Sequence, residues 1–191
     1  MNGVRESSLD TVDPWRAVVV IAMTDPTNEL VEEVDRDGNV LRVVPRSLMR
    51  AELLRHRSVF IAIVSSSGQL LVHQRSPFKD VNPSYWDIAC GGVVSAGEEW
   101  EPAALRELAE EVGVESVELV DLGGEIYDDH TSLQVARCYL ACTDGPFTFA
   151  DGEVVQAHFA DAAGVDELIA TQPVCADSVA LMLPRVHALL R

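Results

Sequence analysis

The stretch "GVVSAGEEWEPAALRELAEEVGV", residues 92–114, decides how this chain is read. Glu101 and Pro102 suit the first turn of a helix, where proline has no N–H to lose. Ala104, Leu105, Leu108 and Val112 recur at helical spacing as a stripe to be buried, and Gly113 is a natural stop. The acids of this helix sit where a bare helix does not want them. Glu107, Glu110 and Glu111 crowd its last turn and a half, three and four residues apart. Like charges at those spacings repel by roughly a few tenths of a kcal/mol per pair. The C-terminal end of a helix also carries negative partial charge, which favours Lys or Arg there.

Composition narrows the explanations. At 191 residues the chain is one domain, or one domain with an extension, and can bury a proper core. Its 48% hydrophobic and 24% charged shares are those of an ordinary soluble globular protein. A formal net charge of −17 argues against nucleic acid and anionic membrane as partners, and is compatible with binding a cation. Of the 14 basic residues only Lys79 is a lysine. Cys90, Cys138, Cys142 and Cys175 form no C-x-x-C pair, so neither a zinc site nor a disulfide framework is indicated. The apolar run Ala17 to Met23 is too short to span a membrane and has no basic region before it. The expectation is a reduced, cytoplasmic protein, monomer or homodimer.

Working outward, residues 1–26 read as an extension. "ELVEEVDRDGNVLRVVP" is a hairpin around Asp37-Gly38-Asn39. "RSLMRAELLRHR", residues 46–57, has helical apolar spacing among basic residues. "SVFIAIVSSSGQLLVHQR" reads as two buried strands joined by a Ser/Gly turn, and a short strand runs into Gly91-Gly92. Strand-like segments recur at 117–122, 133–142 and 153–160, and Asp177 reads as the N-cap of a terminal helix over 178–190. Strands and helices mix without a regular alternation, which predicts an α+β fold with a mixed sheet between helices.

The spacing of residues 92–114 is that of a known signature. Gly92, Glu98, Arg106, Glu107, Leu108, Glu110, Glu111, Gly113 and Val114 fill all nine constrained positions of the Nudix box, G-x5-E-x7-R-E-U-x-E-E-x-G-U with U aliphatic. Chance gives its fixed residues on the order of 10⁻⁹ per starting position at average amino-acid usage. The chain resembles the Nudix hydrolases, over residues 27–191. The resemblance implies an α/β/α sandwich whose box forms a loop–helix–loop. It also implies Mg²⁺ or Mn²⁺ held against a small-molecule diphosphate, a role that suits hard oxygen ligands. By the same resemblance Glu107 and Glu111 ligate the metal, with the Gly91 carbonyl, and Glu110 binds a further ion or helps activate water. Glu98 and Arg106 support them, Arg106 orienting a glutamate. Glu153, just before a late strand, sits where many such hydrolases carry an extra glutamate, as second-metal ligand or general base.

Residues 54–114 also resemble the branch related to isopentenyl-diphosphate isomerase, and Arg75 and Lys79 match the positions with which that isomerase grips its diphosphate. The departures favour a hydrolase. The isomerase cysteine position is Gly91 here, and Cys90, one residue away, points to the other face of a strand. Of the isomerase's metal-binding positions only His56 matches; the others hold Met49, Val93, Ser132 and Gln134. The expected reaction is water attack on phosphorus in a nucleoside di- or triphosphate or a nucleoside diphosphate derivative. Isomerisation of isopentenyl diphosphate and a non-catalytic binding role are the alternatives.

Overall fold

A computed structural model describes residues 29–150 and 152–191. The extension at 1–26, with its run Ala17 to Met23, lies outside the described residues. The elements are β1 (Leu30–Val34), β2 (Val40–Pro45), α1 (Arg46–Ala51), β3 (His56–Val64), β4 (Leu70–Arg75), β5 (Trp86–Asp87) and β6 (Cys90–Val93). They continue with α2 (Trp100–Val112), β7 (Leu119–Asp128), β8 (Leu133–Cys142), β9 (Val154–Ala160), α3 (Ala162–Thr171) and α4 (Ala176–Val186). A 3-10 turn at His187–Leu189 follows.

The uninterrupted apolar run of β3 is explained by burial on both faces. Val59, Ile61 and Ile63 pack with Ala104, Leu108 and Val112 of α2. Ala62 and Val64 join Leu181, Met182 and Val186 of α4 and Val165 of α3 on the opposite side. The result is the three-layer α/β/α arrangement. β3 pairs antiparallel with β1, β4 and β6 and parallel with β8, from His56↔Gln134 to Val64↔Cys142, so the sheet is mixed. β2 lies outside β1, β7 outside β8, and β5 and β9 against β4.

Local departures from the sequence reading have local causes. α1 stops at Ala51 because the chain must straighten to pair His56 with both Glu33 and Gln134, and Leu53 turns it with φ 51°. β7 runs on to Asp128, absorbing Gly123-Gly124 in a register shift rather than ending there. α3 had no counterpart in the reading: it is Ala- and Gly-rich, and its start is marked by Asp161, whose carboxylate accepts from Gly164 N–H at 2.8 Å. The last helix begins at Ala176 with Cys175 as its N-cap, so Asp177 lies inside the first turn. Regular helix ends at Val186, soon after Pro184, which lacks the N–H that helix continuation needs.

Candidate active site

The box helix buries a different stripe from the one its apolar residues suggest. Leu105 is only half-buried, whereas Glu107 and Glu111 are buried beside Ala104 and Leu108. Gly92 on β6 makes room for this: a Cβ there would lie 2.5 Å from Glu107 Oε1. Glu111 accepts from Gly91 N–H at 3.1 Å. The helix then closes at Gly113, in the left-handed region at φ 71°, with Val114 N–H donating to Leu108 O.

Arg106 holds three acids of the box together, Glu98, Glu107 and Glu110. Its guanidinium donates to both Glu98 oxygens at 3.0 and 2.9 Å, to Glu107 Oε1 at 2.7 Å and to Glu110 Oε2 at 3.1 Å. It also reaches the Val93 carbonyl at 3.3 Å. Glu110 itself faces solvent, with its side chain 56% exposed. Burial pushes the Glu107 carboxyl up in spite of Arg106, and Glu110 adds to the rise. Glu111 is displaced further. Burial drives its pKa to about 8, Glu107 contributing in the same direction and Lys79 opposing.

Lys79, on the loop after β4, reaches these acids from the other side. Its ammonium lies 3.8 Å from Glu111 Oε1 and pairs closely with Glu153, which the start of β9 brings to the same place. Glu153 and Glu111 therefore share one cation despite their separation in sequence. Arg75 does not form a matched clamp with Lys79. Its guanidinium turns to Asp87, at 3.5 Å, and to the Val81 carbonyl, at 3.2 Å.

Between these groups and α4 opens a cleft of about 330 Å³. Arg46, Arg50, Arg75 and Lys79 give it four cations, and Gly91 and Gly92 form part of its wall. Asp87, Gln134 and Asp177 line it as well. Sequence reasoning assigns no role to Arg46, Arg50 or Asp87, and gives Asp177 only that of a helix cap. The only signal was the density of arginine in residues 46–57.

Of the positions compared with the isomerase, His56, Gly91, Val93, Ser132 and Gln134 line this cleft, and Met49 does not. A Cβ at Gly91 would lie 2.0 Å from the Val59 carbonyl oxygen, so no side chain fits there without backbone movement. Cys90 is buried in the cluster between β3 and α2, and burial, then Glu111, raises its thiol well above the ordinary range. His56 is buried, with Nδ1 3.0 Å from Leu54 O, and burial lowers its pKa to about 4, leaving it neutral at pH 7. Ser132 and Gln134 hydrogen-bond each other at 2.8 Å.

The donor set fits a hard divalent cation: buried carboxylate oxygens, one of them pushed by burial to about pKa 8. Among the described residues no three acidic, His or Cys side chains converge as a ready-made ion cage. Arg106 and Lys79 occupy the carboxylates instead. Among the described residues, too, no helix is long and apolar enough to cross a membrane.

Comparison with known proteins places this geometry. The NUDIX domain family model matches residues 54–175. The Nudix hydrolase PA4841 of Pseudomonas aeruginosa is 34% identical over 151 residues, 79% of this chain and 89% of that protein. The Nudix hydrolase YfcD of Escherichia coli is 32% identical over 128 residues, 67% of this chain and 71% of the relative. The crystal structure of DR0079 from Deinococcus radiodurans superposes with a TM-score of 0.70 at 23% identity, covering 82% of this chain and 99% of that one, a likeness of fold. With the family model spanning most of its length and a relative above 30% identity aligned over most of both chains, this protein belongs to the Nudix hydrolase family.

Proposed function

We propose that this enzyme hydrolyses a diphosphate linkage in a small molecule, a nucleoside di- or triphosphate or a nucleoside diphosphate derivative, with Mg²⁺ or Mn²⁺. One observation carries the reading: Glu111, buried at the C-terminal end of α2, has its pKa raised to about 8 beside a cleft that carries four cations. An acid so placed destabilises the helix that bears it and serves a cation ligand well. The cations suit the phosphate oxygens of a substrate.

Glu107 and Glu111, with the Gly91 carbonyl, would hold the metal. When bound, it shields phosphate oxygens and lowers the pKa of attacking water. Arg106 keeps Glu107 oriented through their 2.7 Å contact. Lys79 and Arg75 bind the diphosphate oxygens, which requires Lys79 to exchange its glutamate partners for phosphate. Water adds to phosphorus, the P–O bond to the leaving phosphate breaks, and Glu153 or Glu110 takes the water's proton. Glu153 is the better placed, since it shares Lys79 with Glu111 whereas Glu110 faces solvent.

Isomerisation is the poorer reading of the same site. The position of its cysteine has no room for a side chain, and the retained His56 is neutral and bonded to backbone. A binding role without catalysis would not need acids held at this electrostatic cost. Four free cysteines support a reducing, cytoplasmic setting. The test is phosphate release, with and without Mg²⁺, from nucleotides, nucleotide sugars, dinucleoside polyphosphates and prenyl diphosphates. Mg²⁺-dependent release from at least one is expected; none from any would overturn the proposal.

A further inference from the structure

α1 is pinned to the fold by Met49, which is buried with Val31, Val44 and Val93. With that side chain turned inward, Arg46 and Arg50, four residues apart, share the helix face that lines the cleft. Like charges at that spacing repel, and only one of the two is compensated. Arg46 meets Glu29 at 2.6 Å. Arg50 is half-buried, and its guanidinium makes no hydrogen bond or ion pair among the described residues. Apart from the last residue, Arg191, it is the one described arginine without an ion pair. This is so in a chain of formal net charge −17, where acids are plentiful.

The four cations of the cleft therefore differ in what they are free to do. Arg46 is held by Glu29, Arg75 by Asp87, and Lys79 by Glu111 and Glu153. Arg50 alone is uncommitted. The charged groups that act on it most are Arg46, Asp80, Arg75 and Asp177; the acids of α2 are not among them. Asp177 is turned to the Gln134 amide and the Ser178 N–H and does not close on it. Burial, then Arg46, lowers the pKa of the guanidinium, outweighing the two aspartates. A cation half-withdrawn from water without a partner carries a cost that a bound anion removes. An open guanidinium fork matches the oxygens of a phosphate or carboxylate, two N–H groups at a time.

We infer that Arg50 binds a second anion of the substrate, a phosphate or carboxylate borne by the carried group away from the scissile diphosphate. The inference rests on the diphosphate-hydrolase reading and deepens it, naming a charge that the carried group must present and the residue that reads it. Lys79, Arg75 and the metal serve the diphosphate at the α2 end; Arg50 serves the additional anion from α1.

The experiment measures kcat/KM of the full chain with Mg²⁺ on substrate pairs that differ by one anion. NADPH against NADH, and coenzyme A against dephospho-coenzyme A, add a phosphate to the carried group; UDP-glucuronate against UDP-glucose adds a carboxylate. In at least one pair the anion-bearing member should lead by about tenfold or more, the size of a charge-assisted contact. A lead confined to a phosphate pair assigns a phosphate, and one confined to the UDP pair assigns a carboxylate. Arg50→Met should cut the winning ratio to about threefold or less, by lowering kcat/KM for the anion-bearing member. Arg50→Lys, which keeps the charge and loses the fork, should leave an intermediate ratio. Ratios of about one in every pair, or a folded Arg50→Met variant that lowers both members of the winning pair equally, would overturn the inference. So would an Arg50-dependent preference for ATP over ADP with none in the other pairs, since it puts Arg50 on the phosphate chain itself.

A second readout needs no turnover. In chelator, adenosine 3′,5′-bisphosphate should raise the wild-type melting temperature more than AMP does, or glucuronate 1-phosphate more than glucose 1-phosphate, and Arg50→Met should erase the difference. Such Arg50-dependent protection without cleavage of any diphosphate keeps the subsite and overturns the hydrolase reading. Cleavage of diphosphates with no Arg50-dependent protection or preference does the reverse.

Discussion

α2 and α4 flank the same sheet from opposite sides; α2 buries Glu111, and α4 carries the half-buried Asp177. Asp177 lies in the first turn of α4, at the end of a helix where negative charge is favoured, and it accepts from the Ser178 and Gln134 N–H groups. Glu111 lies in the last turn of α2, where the helix itself opposes negative charge. It has one backbone N–H, an ammonium 3.8 Å away, and a second buried glutamate one turn back. Burial raises the pKa of both acids. The difference lies in what the fold supplies. At α4 it supplies neutral donors and a favourable dipole; at α2 it leaves a deficit of positive charge that a ligand must make good.

The largest effect is expected from removing the acid that the fold opposes. Glu111→Gln keeps the shape and loses the charge. Turnover on the best substrate should fall by roughly 10²–10³ or more, while the cation-free variant melts higher than the wild type. Asp177→Asn should change the cation-free melting temperature far less. Activity retained in Glu111→Gln would mean that α2 is not the reaction centre.

A pH series sharpens the same contrast. Between the ordinary carboxylate value of 4.5 and about 8, the folded chain keeps on Glu111 a proton that the unfolded chain has released. Unfolding in that window releases a proton, so stability falls as pH rises through it. His56, lowered to about 4, acts in the opposite sense up to its ordinary 6.5, so the Glu111 effect is clearest above that value. In chelator the melting temperature should drop from pH 6.5 to 8 in the wild type and stay nearly flat in Glu111→Gln, as thermal denaturation can check.

Smaller effects belong to residues between the two regions. Arg75→Ala should raise KM by about tenfold and lower kcat less, since it grips ground and transition states alike. The smallest effect is expected of Cys90→Ala, with kcat/KM on the best substrate within about threefold of wild type, because truncating a core thiol removes packing and no chemistry. Steady-state kinetics on the same substrate checks both.

The two regions were not equally legible in the sequence. The box could be read because its chemistry fixes residue types at fixed intervals on one helix, so the 3.6-residue period alone puts Glu107 and Glu111 on one face. Burial of those glutamates in place of Leu105 could not be read, since it follows from Gly92 admitting Glu107 to the strand. The cleft floor was opaque for another reason. Asp87, Gln134 and Asp177 come from β5, β8 and α4, and only the pairing of the strands and the docking of α4 bring them together. Asp177 was read as a helix cap because an Asp before an apolar helical pattern usually is one. α3 escaped notice because its Ala- and Gly-rich face gives a weak periodic signal.

If the buried acids of α2 await a cation, that cation must stabilise the fold through them, and melting in its presence reads the linkage. At pH 7.5, millimolar Mg²⁺ or Mn²⁺ should raise the melting temperature of the wild-type chain through binding to the folded state. Sodium chloride at equal ionic strength, which screens all charges alike, should do much less. The divalent effect should largely vanish in Glu111→Gln. Equal shifts with sodium and magnesium, or a magnesium shift undiminished in Glu111→Gln, would contradict the account.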